Sequence, residues 1–339
     1  MKKIIKYISV LAVSVLLTGT AFASPILTDV DVNDKVYAGG VPFGIKLYTD
    51  GLVIVKIDGI EASDGKHFPA LDAGLVKGDV ITEVNGEKIK SADDLLSQIT
   101  SEEPVSMKYV RDGSEHTASV KPIYSEKDGR FRTGMWLRDS AAGIGTLTFV
   151  DPADLEFAGL GHGVCDTETG RLVSLKSGAT ADVKISGVKS GVPGDPGELK
   201  GFFSDKETGR VEKNTGCGVF GVMDELPCGM DTELYSIGSK NDIHEGKAKI
   251  ICTVGSDGAA EYEIEIKNTA GKENSRSFEI EVTDKELISR TGGIVQGMSG
   301  SPVIQDGLLV GAVTHVMIND PTKGYGIYIE NMLSAAKQK

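Results

Sequence analysis

From Tyr124 to the C-terminus the chain is a succession of short alternating segments separated by turn residues, and this restricts its fold more than any other property. Residues 261–267 alternate strictly, with Tyr262, Ile264 and Ile266 against Glu261, Glu263 and Glu265. Residues 277–282 do the same with Phe278, Ile280 and Val282. A period of two places these apolar side chains on one face of a strand. The pair is predicted as a hairpin with one solvated face, the glutamates forming that outer face rather than a metal site. Residues 144–150, 172–176, 183–188, 247–254, 308–315 and 326–329 are further predicted strands, followed by a short terminal helix. Many short strands without helices between them define a mainly β protein, a barrel or a sandwich. The 43 glycines are spread along the chain, as tight turns between strands require. The 339 residues are enough for two cores.

Residues 35–122 read differently, as a few strands and one helix. Residues 53–57 and 79–84 are strands, the second ending at Asn85-Gly86, a strong hairpin turn. Ser91-Ala92-Asp93-Asp94 has capping-box spacing with Asp in place of Glu. Leu95, Leu96 and Ile99 supply one apolar helix face. Residues 107–110 and 116–120 close the unit as strands. The strings Gly40-Val41-Pro42-Phe43-Gly44-Ile45, Pro69-Ala70-Leu71-Asp72-Ala73-Gly74-Leu75 and Lys77-Gly78-Asp79-Val80-Ile81-Thr82-Glu83-Val84-Asn85-Gly86 resemble a bacterial PDZ domain. The resemblance implies a peptide ligand added as a strand. The backbone N–H groups around Phe43, Gly44 and Ile45 would receive it, and Gly44 would permit close approach. Core packing is the competing reading of Phe43 and Ile45.

Residues 1–23 read as a secretory signal peptide: Lys2, Lys3 and Lys6, an apolar run over 8–17, then Ala21-Phe22-Ala23. A retained membrane anchor is the other reading, because 4–23 is about the length a bilayer requires. Residues 24–34 are a spacer. Loss of the leader removes three lysines and no acid, taking the net charge from −13 to −16. So acidic a chain is unsuited to gripping nucleic-acid phosphates. Cys165, Cys217, Cys228 and Cys252 form no CxxC pair and no zinc spacing, so no metal or other cofactor is expected. A Cys217–Cys228 bridge would close a short loop, but small buried apolar residues are the plainer reading.

The chemistry concentrates in Gly297-Met298-Ser299-Gly300-Ser301-Pro302. Gly297 allows a tight turn, the backbone N–H groups of Gly297 and Ser299 can form an oxyanion hole, and Gly300 leaves room beside a nucleophilic hydroxyl. A serine nucleophile needs a base. His162, between Gly161 and Gly163, is placed to face a cleft. His315, ending a strand, is its rival, with a packing or hydrogen-bonding role the simpler assignment. His67, His116 and His244 lie in polar surface contexts. Asp284, 15 residues before Ser299, is the candidate acid, with Asp166, Asp182, Asp195 and Asp231 also open.

The strings at 138–152, "GLGHGVCD" around His162, "TDKELISRTGGIVQGMSGSPVIQDG" and "GAVTHVMINDPTKGYGIYIENML" are similar to the SpoIVB peptidase family, PDZ-containing serine peptidases of spore-forming bacteria. The similarity covers nearly the whole chain. It implies a PDZ domain at 35–122 followed by a chymotrypsin-like double β-barrel at 123–339, with Ser299, His162 and Asp284 as a catalytic set. Asp284 stands closer to the serine than the acid of most such enzymes. The resemblance further implies export from the forespore into the intermembrane space, possible membrane association through the leader, cleavage of a membrane-bound sporulation regulator and of the protein itself, and activation of a late mother-cell sigma factor. A general quality-control protease of the HtrA kind and a non-catalytic PDZ scaffold are the alternatives. Domain order opposes the first, and an intact Ser299 and His162 the second.

Overall fold

A computed structural model describes residues 35–271 and 275–338; the leader and the spacer to residue 34 lie outside them. In chain order the main elements are β1 (Lys35–Ala38), β2 (Pro42–Ile57), α1 (Pro69–Asp72), β3 (Val80–Val84), α2 (Ala92–Gln98), β4 (Val105–Arg111) and β5 (Ser114–Val120). Then come β6 (Met135–Val150), β7 (Glu156–Gly159), β8 (Ser177–Lys189), β9 (Glu198–Thr215), β10 (Gly218–Met223) and β11 (Leu234–Ile237). The remainder is β12 (Gly246–Cys252), β13 (Ala260–Asn268), β14 (Phe278–Val282), α3 (Lys285–Thr291), β15 (Pro302–Gln305), β16 (Leu308–Met317), β17 (Asp320–Tyr328) and α4 (Ile329–Lys337).

The pairings close two barrels. In the first, β2 pairs with β6, β6 with β7, β7 with β10, β10 with β9, β9 with β8, and β8 returns to β2. In the second, β12 pairs with β13, then β14, β17, β16 and β15 in turn, and β15 returns to β12. Closure leaves no free edge around either barrel. Inward residues alternate as the sequence pattern requires. Phe43, Leu47, Leu147 and Phe157 fill the first core, with Phe43 and Phe157 edge to face at 5.6 Å. Ile250, Ile264, Phe278, Ile280 and Val313 fill the second. β1 pairs with both β6 and β11, and β11 runs parallel to β16, so the N-terminal strand clasps the barrels together.

The PDZ unit does not precede the barrels; it is inserted into the first. β2 and β6 are continuous antiparallel partners, from Pro42 opposite Thr146 to Ile57 opposite Met135. The first-barrel half of β2 also pairs with β8, whereas Leu52 and Val53 of β2 turn to pair with β3. A backbone bend at Gly51 (φ +118°) and a register shift near Asp139 separate the halves. Beyond the bend, Leu52, Ile54, Leu75, Ile81, Leu95, Met107 and Val120 form a separate core.

This placement corrects both the 35–122 boundary and the expected peptide-binding edge. Phe43, Gly44 and Ile45 lie in β2 between β6 and β8, paired on both sides, with Phe43 and Ile45 each 2% exposed. A Cβ at Gly44 would overlap the Phe203 ring. Their backbone groups already serve the barrel, so no peptide can add there. Local expectations fared better: Asn85-Gly86 has the positive φ pair of a tight hairpin turn, and Ser91 and Asp94 close the capping box in both directions. Residues 172–176 are not a strand; Val173 N–H donates to the Val164 carbonyl and Leu172 makes one isolated bridge. All four cysteines are free thiols.

Candidate active site

The turn bearing Ser299 runs from the end of α3 to the start of β15, with Gly297 at φ +98° and Gly300 at φ +99°. Met298 is fully buried beneath it while Ser299 stays partly exposed. β6 of the opposite barrel holds this turn. Thr146 N–H donates to the Ser299 carbonyl at 2.9 Å, Thr146 Oγ1 to the Gly297 carbonyl at 2.8 Å, and Thr148 Oγ1 to the Gly300 carbonyl at 2.9 Å. Gly300 N–H donates to the Val313 carbonyl at 2.7 Å. With the carbonyls thus engaged, the N–H groups of Gly297 and Ser299 have no acceptor among the described residues, as an oxyanion hole needs. The Ser299 hydroxyl donates to the Thr314 carbonyl at 2.7 Å.

His162 stands on a turn in which Leu160 and Gly161 both have positive φ, 68° and 67°. Gly161 packs so closely on Thr314 that a Cβ there would lie 2.8 Å from its methyl group. The turn leaves by way of Asn214, whose Oδ1 accepts Val164 N–H at 2.8 Å and whose Nδ2 donates to the Val164 and Val173 carbonyls, both at 2.9 Å. His162 Nδ1 lies 2.9 Å from the Gly163 carbonyl, which can only accept, so Nδ1 carries the proton and Nε2 is the basic nitrogen. On its other side His162 packs on His315, ring centroids 5.0 Å apart.

Burial lowers the pKa of His162, an effect opposed by its bond to Gly163. The imidazole is therefore neutral and basic at and somewhat below the ordinary histidine value. Activity should rise with pH and level off, with a midpoint below about 6.5. A kcat/KM profile with its midpoint above 7 would contradict this environment.

Asp284 is not beside His162. It is the N-cap of α3: Oδ1 accepts Leu287 N–H at 2.9 Å and Oδ2 accepts Glu263 N–H at 3.3 Å. The sequence Asp284-Lys285-Glu286-Leu287 suits a helix start as well as it suits a triad acid, and helix capping is the use the fold makes of it. Three of the other four candidate acids are also engaged. Asp166 binds Arg138 at 2.7 Å, Asp195 binds Lys189 at 2.6 Å, Asp231 accepts Glu233 N–H, and Asp182 lies exposed on β8. Asn is as good an N-cap as Asp, so Asp284→Asn should melt within about 0.5 kcal/mol of the parent and Asp284→Ala about 1 kcal/mol lower. Peptidase activity of Asp284→Asn should stay within about tenfold of the parent; a loss near 10⁴-fold would place this carboxylate on the base after all.

Thr146, Thr148 and Asn214 were not singled out from sequence. The available signal was two threonines in an apolar strand, Gly145-Thr146-Leu147-Thr148-Phe149, both almost fully buried in the fold. Among the described residues no His, Cys, Asp or Glu cluster suits a metal. No helix among them is long and apolar enough to cross a membrane.

The PDZ unit has a groove elsewhere than expected, between α2 and the first residues of β6. It encloses about 530 Å³ and is lined by Leu95, Leu96, Ile99, Met135 and Leu137 among others. Residues 135–137 pair with β2 along one edge, and no strand covers their other edge among the described residues.

Two barrels whose Ser299 and His162 turns both pack on Thr314, with a PDZ unit attached, are the arrangement of a PDZ-bearing serine peptidase. The profile of the SpoIVB peptidase S55 family matches residues 129–333, and that of the PDZ domain residues 48–121. The chain belongs to the SpoIVB peptidase S55 family. It is 32% identical over 111 residues to a Bartonella henselae protein described as a zinc metalloprotease, covering 32% of this chain and 30% of that one. It is 43% identical over 83 residues to the serine protease Do-like HtrA of Lactococcus lactis, covering 24% of this chain and 19% of that one. The chain thus spans less than a third of either relative. Among solved structures, the active form of the Rv3671c protease of M. tuberculosis aligns over 59% of this chain and 76% of that one, at 14% identity and a TM-score of 0.34.

Proposed function

We propose that the protein is an exported serine endopeptidase in which Ser299 is the nucleophile and His162 the base. The observation that carries this reading is the junction of the barrels. There the turn bearing a partly exposed Ser299 and the turn bearing His162 both pack on Thr314, with the Gly297 and Ser299 N–H groups free of internal acceptors among the described residues. To react, the hydroxyl leaves the Thr314 carbonyl and turns to His162. As Oγ bonds to the substrate carbonyl carbon, its proton passes to Nε2 and the carbonyl π pair moves onto oxygen. The two N–H groups stabilise that oxyanion, and the imidazolium then protonates the leaving amine. Water completes the second half in the same way.

The physiological role we propose is proteolytic signalling. After export from the forespore, the enzyme cleaves a membrane-associated regulator in the intermembrane space, and itself, so that a late mother-cell sigma factor becomes active. Family membership supports this role. The PDZ unit would hold the target as an added strand along residues 135–137 beside α2, a bare edge with an apolar wall. In a sporulating host carrying Ser299→Ala in place of the parent gene, a reporter of the late mother-cell factor should stay silent and the regulator uncut. A normal reporter in that host would refute the signalling role, and intact self-cleavage of the purified variant would refute the nucleophile.

A further inference from the structure

Among the described residues no carboxylate is bonded to His162: Asp284 caps α3 and the Nδ1–H of His162 meets the neutral Gly163 carbonyl. The group packed on His162 is instead His315, with ring centroids 5.0 Å apart and planes inclined by 39°. His315 directly follows Thr314, whose carbonyl holds the Ser299 hydroxyl, so two adjacent residues of β16 touch both members of the pair. Its Nδ1 is buried and has no hydrogen-bond partner among the described residues. A buried polar atom left unpaired is costly and calls for an explanation. Burial first, then the charges of His162 and Arg276, push the His315 pKa down to about 4, which favours the neutral ring near pH 7. Across the strand pair it faces Tyr325, on whose ring Arg276 stacks.

We propose that His315, whose ring packs on that of His162, is the positioning residue for the base; the role rests on Ser299 and His162 being nucleophile and base. Its ring fixes the plane of the base. With the ring hydrogen on Nε2, its unpartnered Nδ1 offers a lone pair that supports the imidazolium formed when Ser299 loses its proton. A neutral acceptor supports that charge less than a carboxylate would, which suits an enzyme that cuts few bonds rather than many.

The full-length protein is assayed on a short peptide and, separately, by the rate at which a fluorophosphonate captures Ser299, which needs no peptide binding. His315→Phe keeps a flat ring without nitrogen; its kcat and capture rate should both fall about 10²-fold with KM within about twofold of the parent. His315→Gln, which restores an acceptor, should recover at least about tenfold of the loss. Parent-like kcat in His315→Phe, a loss confined to KM, or no recovery with Gln would overturn the proposal. Should His315→Phe fail to melt cooperatively, His315→Gln decides: capture slowed to the level of His162→Ala overturns the proposal, and capture within about tenfold of the parent supports it. Ser299→Ala and His162→Ala are measured alongside. Activity in either defeats the nucleophile and base assignment, whereas silence in both with a normal His315→Phe defeats only the role of His315.

Discussion

Ser299→Ala should lose about 10⁶-fold in kcat, the scale on which removing a catalytic serine acts, while its fold survives. Among the described residues the hydroxyl makes one hydrogen bond, to the Thr314 carbonyl, and it stands partly exposed. Its removal therefore opens no cavity in the core, and the melting midpoint should shift by no more than about 1 kcal/mol in stability. The backbone that forms the oxyanion hole is held by Thr146, Thr148 and Val313, not by the Ser299 side chain, so it remains in place. A residual rate above that of water is expected from those donors alone. Mass spectrometry of the purified variant beside the parent tests the proposed self-cleavage, and the same cleavage products in both would remove Ser299 from the mechanism.

Gly300→Ala should act on stability and activity together. Its φ of +99° disfavours any side chain, and a Cβ would overlap the Thr146 carbonyl oxygen and crowd the Leu160 nitrogen. Those contacts are the seam where the nucleophile turn, β6 and the His162 turn meet backbone to backbone. Backbone cannot yield as a flexible side chain can, so the turn must shift away from β6. Overpacking and positive φ together should cost about 3 kcal/mol or more. That is a fall of roughly 4–5 °C in melting temperature for a protein of this size. A displacement of the turn by about 1 Å also moves Ser299 from His162, so kcat should fall at least about 10²-fold. Gly307→Ala is the control: it shares a positive φ, 80°, but a Cβ there meets nothing within 4 Å. If the two variants melt alike, the close approach at Gly300 is not what its glycine serves.

Much of this was legible in the chain because it depends on neighbours in sequence. Alternation in residues 261–267 and 277–282 specified a hairpin, and the register of Ile264 with Val282 and Ile266 with Ile280 agrees with it. Asn85-Gly86 and Ser91 to Asp94 carry their own turn and cap chemistry. The glycines around His162 and Ser299 marked two sharp turns that display polar side chains.

Other features were settled by contacts between distant segments. Residues 42–57 read as a PDZ loop and strand, yet they form one strand shared by two cores, because β8 and β6 occupy both edges of its first half. Nothing in Phe43-Gly44-Ile45 itself distinguishes a strand that receives a peptide from one that already has two partners. Asp284 likewise has the chemistry of a triad acid and of a helix cap, and only the position of α3 selects the cap. His315 looked like a packing residue until the barrels brought it against His162. The sequence by itself determined the period of the strands, the turns and the nature of the reactive groups, since those are set by local sterics and side-chain chemistry. Tertiary structure alone decided which groups meet, because two closed barrels bring together residues more than 130 positions apart at a seam no local pattern encodes.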